Sequence, residues 1–209
     1  MKAEEPITDY GRLDLNGTYT YWDYLRWQFK ERVELIKGKV FKMSPAPGSV
    51  HQKISGNLSY PIHSFFFKKT CAVFVAPYDV RLPIPRADKD STVVQPDLCV
   101  ICDESKIDAR GCNGAPDLVV EILSPGNIRH EMDTKFQLYQ ESGVKEYWIV
   151  VPATKAIFVY VLKNGQYEGS KPFAEGMTVE SRLFPDLKVV VDDVFYGIGN
   201  EPQFENPPI

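Results

Sequence analysis

The stretch PDLVVEILSPGNIRHEMDTKFQLYQESGVKEYW, residues 116–148, constrains this chain more than any other. It reads as strand, turn, helix, strand. Leu118–Leu123 is apolar except for Glu121, and a continuous apolar run suits a strand buried on both faces. An ionised carboxylate in such a strand is costly unless it is paired, hydrogen-bonded or bound to a metal. A structural ion pair meets that condition as well as a catalytic site does. Asp117 shares the face of Glu121, because strand positions alternate. It sits at the strand start, where solvent or a cap can satisfy it. The helix that follows carries Lys135, beside Phe136 and one turn from Leu138 and Tyr139. That places the lysine at the border of the apolar face, able to reach inward. The competing arrangement is an ion pair with Glu131, four residues earlier, worth about 0.5 kcal/mol or less.

A second acid could meet Glu121. In VVQPDLCVICDE, Asp97 follows a proline at the start of an apolar run that reads as one strand. If that strand lies beside 118–123, the two carboxylates converge. Two hard oxygen donors, completed by water and a substrate phosphate, suit Mg²⁺. Such an ion can polarise a phosphoryl oxygen and acidify a bound water. Lys135 could then orient the attacking water or oppose developing negative charge.

Upstream, Thr20 could cap a helix through WDYLRWQFKE whose aromatic stripe faces the core; base stacking is the alternative. RVELIKGKVFKMS suggests a hairpin around Gly38, with Glu34 either facing solvent or aimed into a cleft. A helix starting at Ser44, Pro45 or Ser49 would carry His51, Ile54, Leu58 and Ile62, with Pro61 kinking or ending it. His51 is either a surface residue or a ligand, base or phosphate contact. CAVFVAP and DVRLPIP read as strands. Around and within the polar loop after them stand Arg81, Arg86 and Lys89, which could reach a phosphate backbone or simply be solvated. ESKIDARGCNGAP reads as a connector. EYWIVVP and AIFVYVL read as strands, Asn164–Gly165 as a hairpin turn, and SRLFPDLKVVVDDVF as a strand with a short helix. The whole is mixed α/β, a sheet with flanking helices.

Composition sets the bounds. A chain of 209 residues fits one domain, here 19–198 with a lead-in at 1–18 and a tail at 199–209. It can bury about 70% of its unfolded surface without staples. There is no run of about 20 apolar residues to span a membrane, and no secretory signature at the amino terminus, so a cytoplasmic protein is expected. The net charge of −4 hides a split: +4 over residues 1–90 and −8 over 91–209. That balance argues against a constitutive tight nucleic-acid binder but permits a polyanionic substrate. Of the four cysteines, Cys99 and Cys102 have CxxC spacing, yet Cys71 and Cys112 form no second close pair. Alternation would also point Cys99 and Cys102 to opposite faces. Free buried cysteines, rather than zinc or redox chemistry, are expected.

The ordered set VQPDL, APDLVVEILSPG, DTKFQLYQESGV and KEYWIVVP resembles the Uma-two family of restriction endonucleases, within the PD-(D/E)XK nuclease superfamily. RVELIKGKV, the histidine helix and SRLFPDLKVVVDDVF resemble the family's two ends, so the likeness spans about residues 15–196. It implies a restriction-endonuclease-like core that hydrolyses DNA with Mg²⁺, or Mn²⁺ in its place. Asp97 matches the PD acid and Glu121 the second acid. The superfamily's lysine would fall at Leu123; the resemblance transfers it to Lys135 on the next helix. Glu34 and His51 match auxiliary positions for metal, water or phosphate. Cutting both strands would call for two sites, hence a homodimer. The displaced lysine and the negative charge leave a second expectation open: a nuclease-fold module that binds nucleic acid or a protein without cutting.

Overall fold

The computed structural model describes residues 5–43, 47–85, 90–124 and 128–199, with 128–132 as backbone only. Helix α1 (Tyr21–Tyr24) starts at Thr20, whose N–H and hydroxyl both donate to the Asp23 carboxylate, at 2.8 and 2.9 Å. The helix expected to run on through Glu31 stops after one turn. The Arg26 carbonyl and Gln28 N–H are instead taken by the backbone of Ile7. Most of the aromatic side chains face inward: Trp27 touches the rings of Tyr19, Tyr24 and Phe29, and Tyr21 packs with Leu35 and Val93, whereas Trp22 is exposed.

The hairpin of β1 (Val33–Ile36) and β2 (Lys39–Lys42) turns at Lys37 and Gly38, with φ of 50° and 79°. A two-residue hairpin turn of the favoured twist needs positive φ at both positions. Helix α2 (Ser49–Phe66) buries Ile54, Leu58, Ile62 and Phe66 at helical spacing, and Pro61 does not end it. Then come β3 (Ala72–Val75), β4 (Val80–Arg81), β5 (Val93–Val94) and β6 (Leu98–Ile101). The run expected as one strand is therefore two, broken at Gln95–Pro96. Proline has no N–H for a ladder, and the chain passes there from one sheet to another. The expected connector contains a small hairpin, β7 (Ile107–Asp108) and β8 (Gly111–Asn113). Beyond it lie β9 (Leu118–Ile122), α3 (Ile128–Ser142), β10 (Glu146–Val151), β11 (Ala156–Lys163) and β12 (Gln166–Gly169). The expected Asn164–Gly165 turn, with φ of 50° and 79°, joins the last two. An unanticipated β13 (Thr178–Glu180) pairs with β14 (Lys188–Val190), followed by α4 (Val191–Val194).

The central sheet runs β12-β11-β10-β9-β6-β3, mixed, with β9 and β10 parallel and the other neighbours antiparallel. Parallel neighbours require a crossover, and α3 supplies it. A second sheet runs β2-β1-β5-β4-β8-β7. Helix α2 and the carboxy-terminal elements cover one face of the central sheet, against Val100, Val120 and Trp148. Leu138 and Tyr139 of α3, with Ile36, Val80 and Val94 of the second sheet, cover the other, against Val119 and Ile149. Strand β9 lies mid-sheet and is buried along its whole length, as its apolar run predicts.

Two buried polar features hold this frame. Glu146, at the start of β10, is fully buried and accepts from the indole N–H of Trp148, the Ser181 hydroxyl and the N–H groups of Arg182 and Leu183. It ties the sheet to the carboxy-terminal segment. Cys71 and Cys102 form a disulfide across the end of the β3–β6 pair. This corrects the expectation of four free cysteines: antiparallel register sets the two opposite each other, a relation that separation in sequence conceals. Disulfides of this kind are rare in the cytosol, so the expected compartment gains no support from it. Cys99 and Cys112 are free and buried, as expected. No helix among the described residues is long and apolar enough to cross a membrane.

Glu146→Ala strands an indole N–H and two backbone N–H groups, each worth about 1–3 kcal/mol when left unsatisfied. A stability loss of about 3 kcal/mol or more is expected in urea unfolding.

Candidate active site

The Gln95–Pro96 break puts Asp97 at the entrance of β6, beside β9. The pairing of Leu98 with Val120 and Cys99 with Val119, continued by one residue, sets Asp97 across from Glu121. Asp97 Oδ2 accepts from the Ile122 N–H at 2.7 Å and from His51 Nε2 at 3.3 Å. His51 stands in the first turn of α2, so that helix reaches the strand end through the imidazole. Burial alone disfavours the imidazolium, but the hydrogen bond and charge of Asp97 outweigh it, and the net effect raises the His51 pKa.

Across the strand, Glu121 is 8% exposed and Lys135 7%. Lys135 Nζ lies 3.0 Å from Glu121 Oε1 and 3.1 Å from Glu34 Oε1. Glu34 Oε1 also accepts from the Gln95 N–H at 3.1 Å. The inward orientation of the hairpin acid is thus the one found. The Tyr139 hydroxyl donates to Glu121 Oε1 at 2.6 Å, so two buried donors share one carboxylate oxygen. Tyr139 lies four residues after Lys135 on α3, which puts both on one helix face.

Electrostatics follow from this burial. Desolvation pushes Glu121 up to about 7; Lys135 opposes that, while Asp97 and Glu34 add to it. For Lys135 burial disfavours the charge, but Glu121 and Glu34 outweigh it and hold the ammonium's pKa above its ordinary value. Burial and the same two carboxylates raise the Tyr139 phenol well above its usual range, so it remains a proton donor.

Five of the expected residues therefore converge: Glu34, His51, Asp97, Glu121 and Lys135. Arg81 stands apart from them: its guanidinium bonds Asp108 and the Cys112 carbonyl and lies over the Tyr21 ring. Arg86 and Lys89, and the proposed Glu131 ion pair with Lys135, lie outside the described residues. Asp117 is not left to solvent: it accepts from the Cys102 N–H and from Lys145, both at 2.7 Å.

Two further participants, Tyr139 and Gln95, carry weaker sequence signals. Tyr139 reads as an apolar-face residue, and its spacing from Lys135 is the signal that marks it. Gln95 has no comparable signal. Its side chain accepts from Arg32 at 2.8 Å and donates to Asp79 at 2.8 Å, where Tyr24 also donates. These contacts tie the peptide ahead of Asp97 to the amino-terminal segment.

The superfamily resemblance implies a divalent ion, and the carboxylates that face each other here are Asp97 and Glu121. Burial first, and then the nearby Asp97 and Glu34, hold Glu121 above its ordinary range, an excess of negative charge that Lys135 offsets only in part. A cation between Asp97 and Glu121 would relieve it. Among the described residues no group of three or more His, Cys, Asp and Glu could hold a metal. Mg²⁺ can take as few as one or two carboxylates and keep its waters, so Asp97 and Glu121 are the residues that would hold it.

A mixed sheet whose central strand carries a buried acid, a facing acid and a helix-borne lysine defines a restriction-endonuclease-like nuclease fold. Residues 22–192 match the Uma2 family, described as a putative restriction endonuclease, and the chain belongs to that family. A crystal structure of a putative nuclease belonging to DUF820 from Anabaena variabilis ATCC 29413 superposes with a TM-score of 0.66 at 23% identity, over 85% of this chain and 97% of that one. At that identity the likeness shows the fold. An uncharacterized protein, slr1290, from Synechocystis sp. (strain ATCC 27184 / PCC 6803 / Kazusa) is 25% identical over 144 residues, 68% of this chain and 73% of its own length.

Two stability measurements check this arrangement. Lys135→Met leaves Glu34 and Glu121 buried without their cation and should cost about 3–5 kcal/mol in urea unfolding. The second concerns pH. The folded pKa of Glu121, about 7, lies above its unfolded value of 4.5, so the folded state prefers the protonated acid. Its contribution to stability is full below pH 4.5 and is lost as pH rises through 7. In EDTA, Glu121→Gln should flatten the stability–pH curve across that window.

Proposed function

We propose that the protein is a divalent-metal-dependent endonuclease that hydrolyses DNA phosphodiester bonds at the Asp97–Glu121 pair. The observation that carries this is Lys135, buried as an ammonium between Glu34 and Glu121, with Asp97 across the ladder. Membership of a restriction endonuclease family supports DNA as the substrate. Asp97 and Glu121 would hold Mg²⁺, or Mn²⁺ in its place. Such an ion, when bound, supplies Lewis-acid polarisation of a phosphoryl oxygen and a more acidic water.

The chain's own residues do the rest. Lys135 keeps a fixed positive charge where negative charge grows in the transition state, in a dry site where such a charge is worth most. Glu34 holds that ammonium from its far side, and the Gln95 N–H holds Glu34. His51 and the Ile122 N–H fix one oxygen of Asp97. Arg81 is left out of the site, because Asp108 already engages its charge.

Supercoiled plasmid incubated with Mg²⁺ or Mn²⁺ should be nicked or linearised. Asp97→Asn, Glu121→Gln and Lys135→Met should each slow cutting by about 100-fold or more. Nicked circles appearing before linear product would mean one site acts at a time; direct linearisation would support a homodimer. Undiminished cutting by the Glu121→Gln protein would overturn the assignment. A folded protein that binds DNA but never cuts it would instead identify a recognition module.

A further inference from the structure

Two buried donors converge on one oxygen of Glu121. Lys135 Nζ at 3.0 Å and the Tyr139 hydroxyl at 2.6 Å both fall on Oε1. Tyr139 is fully buried, and its ring packs against Tyr147 of β10 at 5.0 Å between centroids. Ring and helix together leave the hydroxyl little freedom to turn elsewhere. A phenol hydroxyl at this distance donates to the carboxylate, which when ionised can only accept.

From this geometry we infer that Tyr139 is a positioning residue for the metal site. By holding Oε1 with Lys135, it fixes the rotation of the Glu121 carboxylate that would help hold the divalent cation. The inference rests on the proposed metal site and adds a division of labour within it. Ligands in metal sites are commonly oriented by outer hydrogen bonds, whose loss lowers metal affinity or activity about 10- to 100-fold. Lys135 on the same oxygen supplies charge; Tyr139 supplies direction without charge. Tyr139→Phe removes the direction alone, since it keeps the ring and its packing.

The test is Mn²⁺ binding by calorimetry on the full chain, for the unmodified protein, Tyr139→Phe and Asp97→Asn, each checked for folding by circular dichroism. Tyr139→Phe is expected to weaken Mn²⁺ binding about 10-fold or more. In plasmid cutting the same variant should raise the Mn²⁺ needed for half-maximal rate and leave the KM for DNA unchanged. A role in packing alone would not produce that split. Equal Mn²⁺ affinity in Tyr139→Phe and the unmodified protein, with Asp97→Asn weakened, overturns the positioning role and leaves the metal site standing. No Mn²⁺ binding by the unmodified protein overturns both. A second measurement needs no substitution. The ring ¹³C resonance of Tyr139, followed through a Mg²⁺ titration, should shift and saturate with the ion; an unmoved resonance at saturating Mg²⁺ overturns the inference.

Discussion

The arrangement depends on one buried ammonium. Lys135 sits between Glu34 and Glu121, and those three side chains come from three separate places: a hairpin of the second sheet, the central strand of the first, and the crossover helix between β9 and β10. Two carboxylates cannot be left in such an interior uncompensated. The lysine therefore couples the two sheets and the helix, and it does so at the same place as the candidate chemistry. The pairing is incomplete as charge balance: Glu121 remains shifted upward despite Lys135, first because it is buried and then because Asp97 and Glu34 stand nearby. A fold that needed only an ion pair would not also set a second acid there.

Pro96 makes that juxtaposition possible. It ends one ladder and lets the chain enter another, so that Gln95 faces the Glu34 side and Asp97, two residues on, faces the Glu121 side. The short segment from Gln95 to Asp97 thus touches both halves of the site. Its anchoring by Arg32, Asp79 and, through Asp79, Tyr24 makes the amino-terminal segment part of the support. Among the early aromatic residues Tyr24 both packs and, through this network, stiffens the approach to Asp97.

Much of this was legible in the residues. The β9–α3–β10 unit, the Gly38 and Asn164–Gly165 turns and the α2 stripe follow from periodicity and turn chemistry. Glu121 is conspicuous because it is the only ionisable residue in an apolar run. Other features were not legible, each for a physical reason. The first helix is short because distant backbone groups at Ile7 compete for its hydrogen bonds. The Cys71–Cys102 bond depends on strand register. Tyr139 looked like core because an apolar face and a buried hydrogen bond require the same ring.

By itself, then, the sequence determined the element types, the burial of β9, and the identities of the acids and the lysine, because those depend on local periodicity and on the price of a charge among apolar neighbours. The tertiary structure alone decided which of them meet. It turned Glu34 inward, placed Asp97 across from Glu121, set Tyr139 on the oxygen that Lys135 shares, and bonded Arg81 to Asp108 instead. Those outcomes rest on strand order, register and helix rotation, which bring together residues far apart in the chain and which no local pattern encodes.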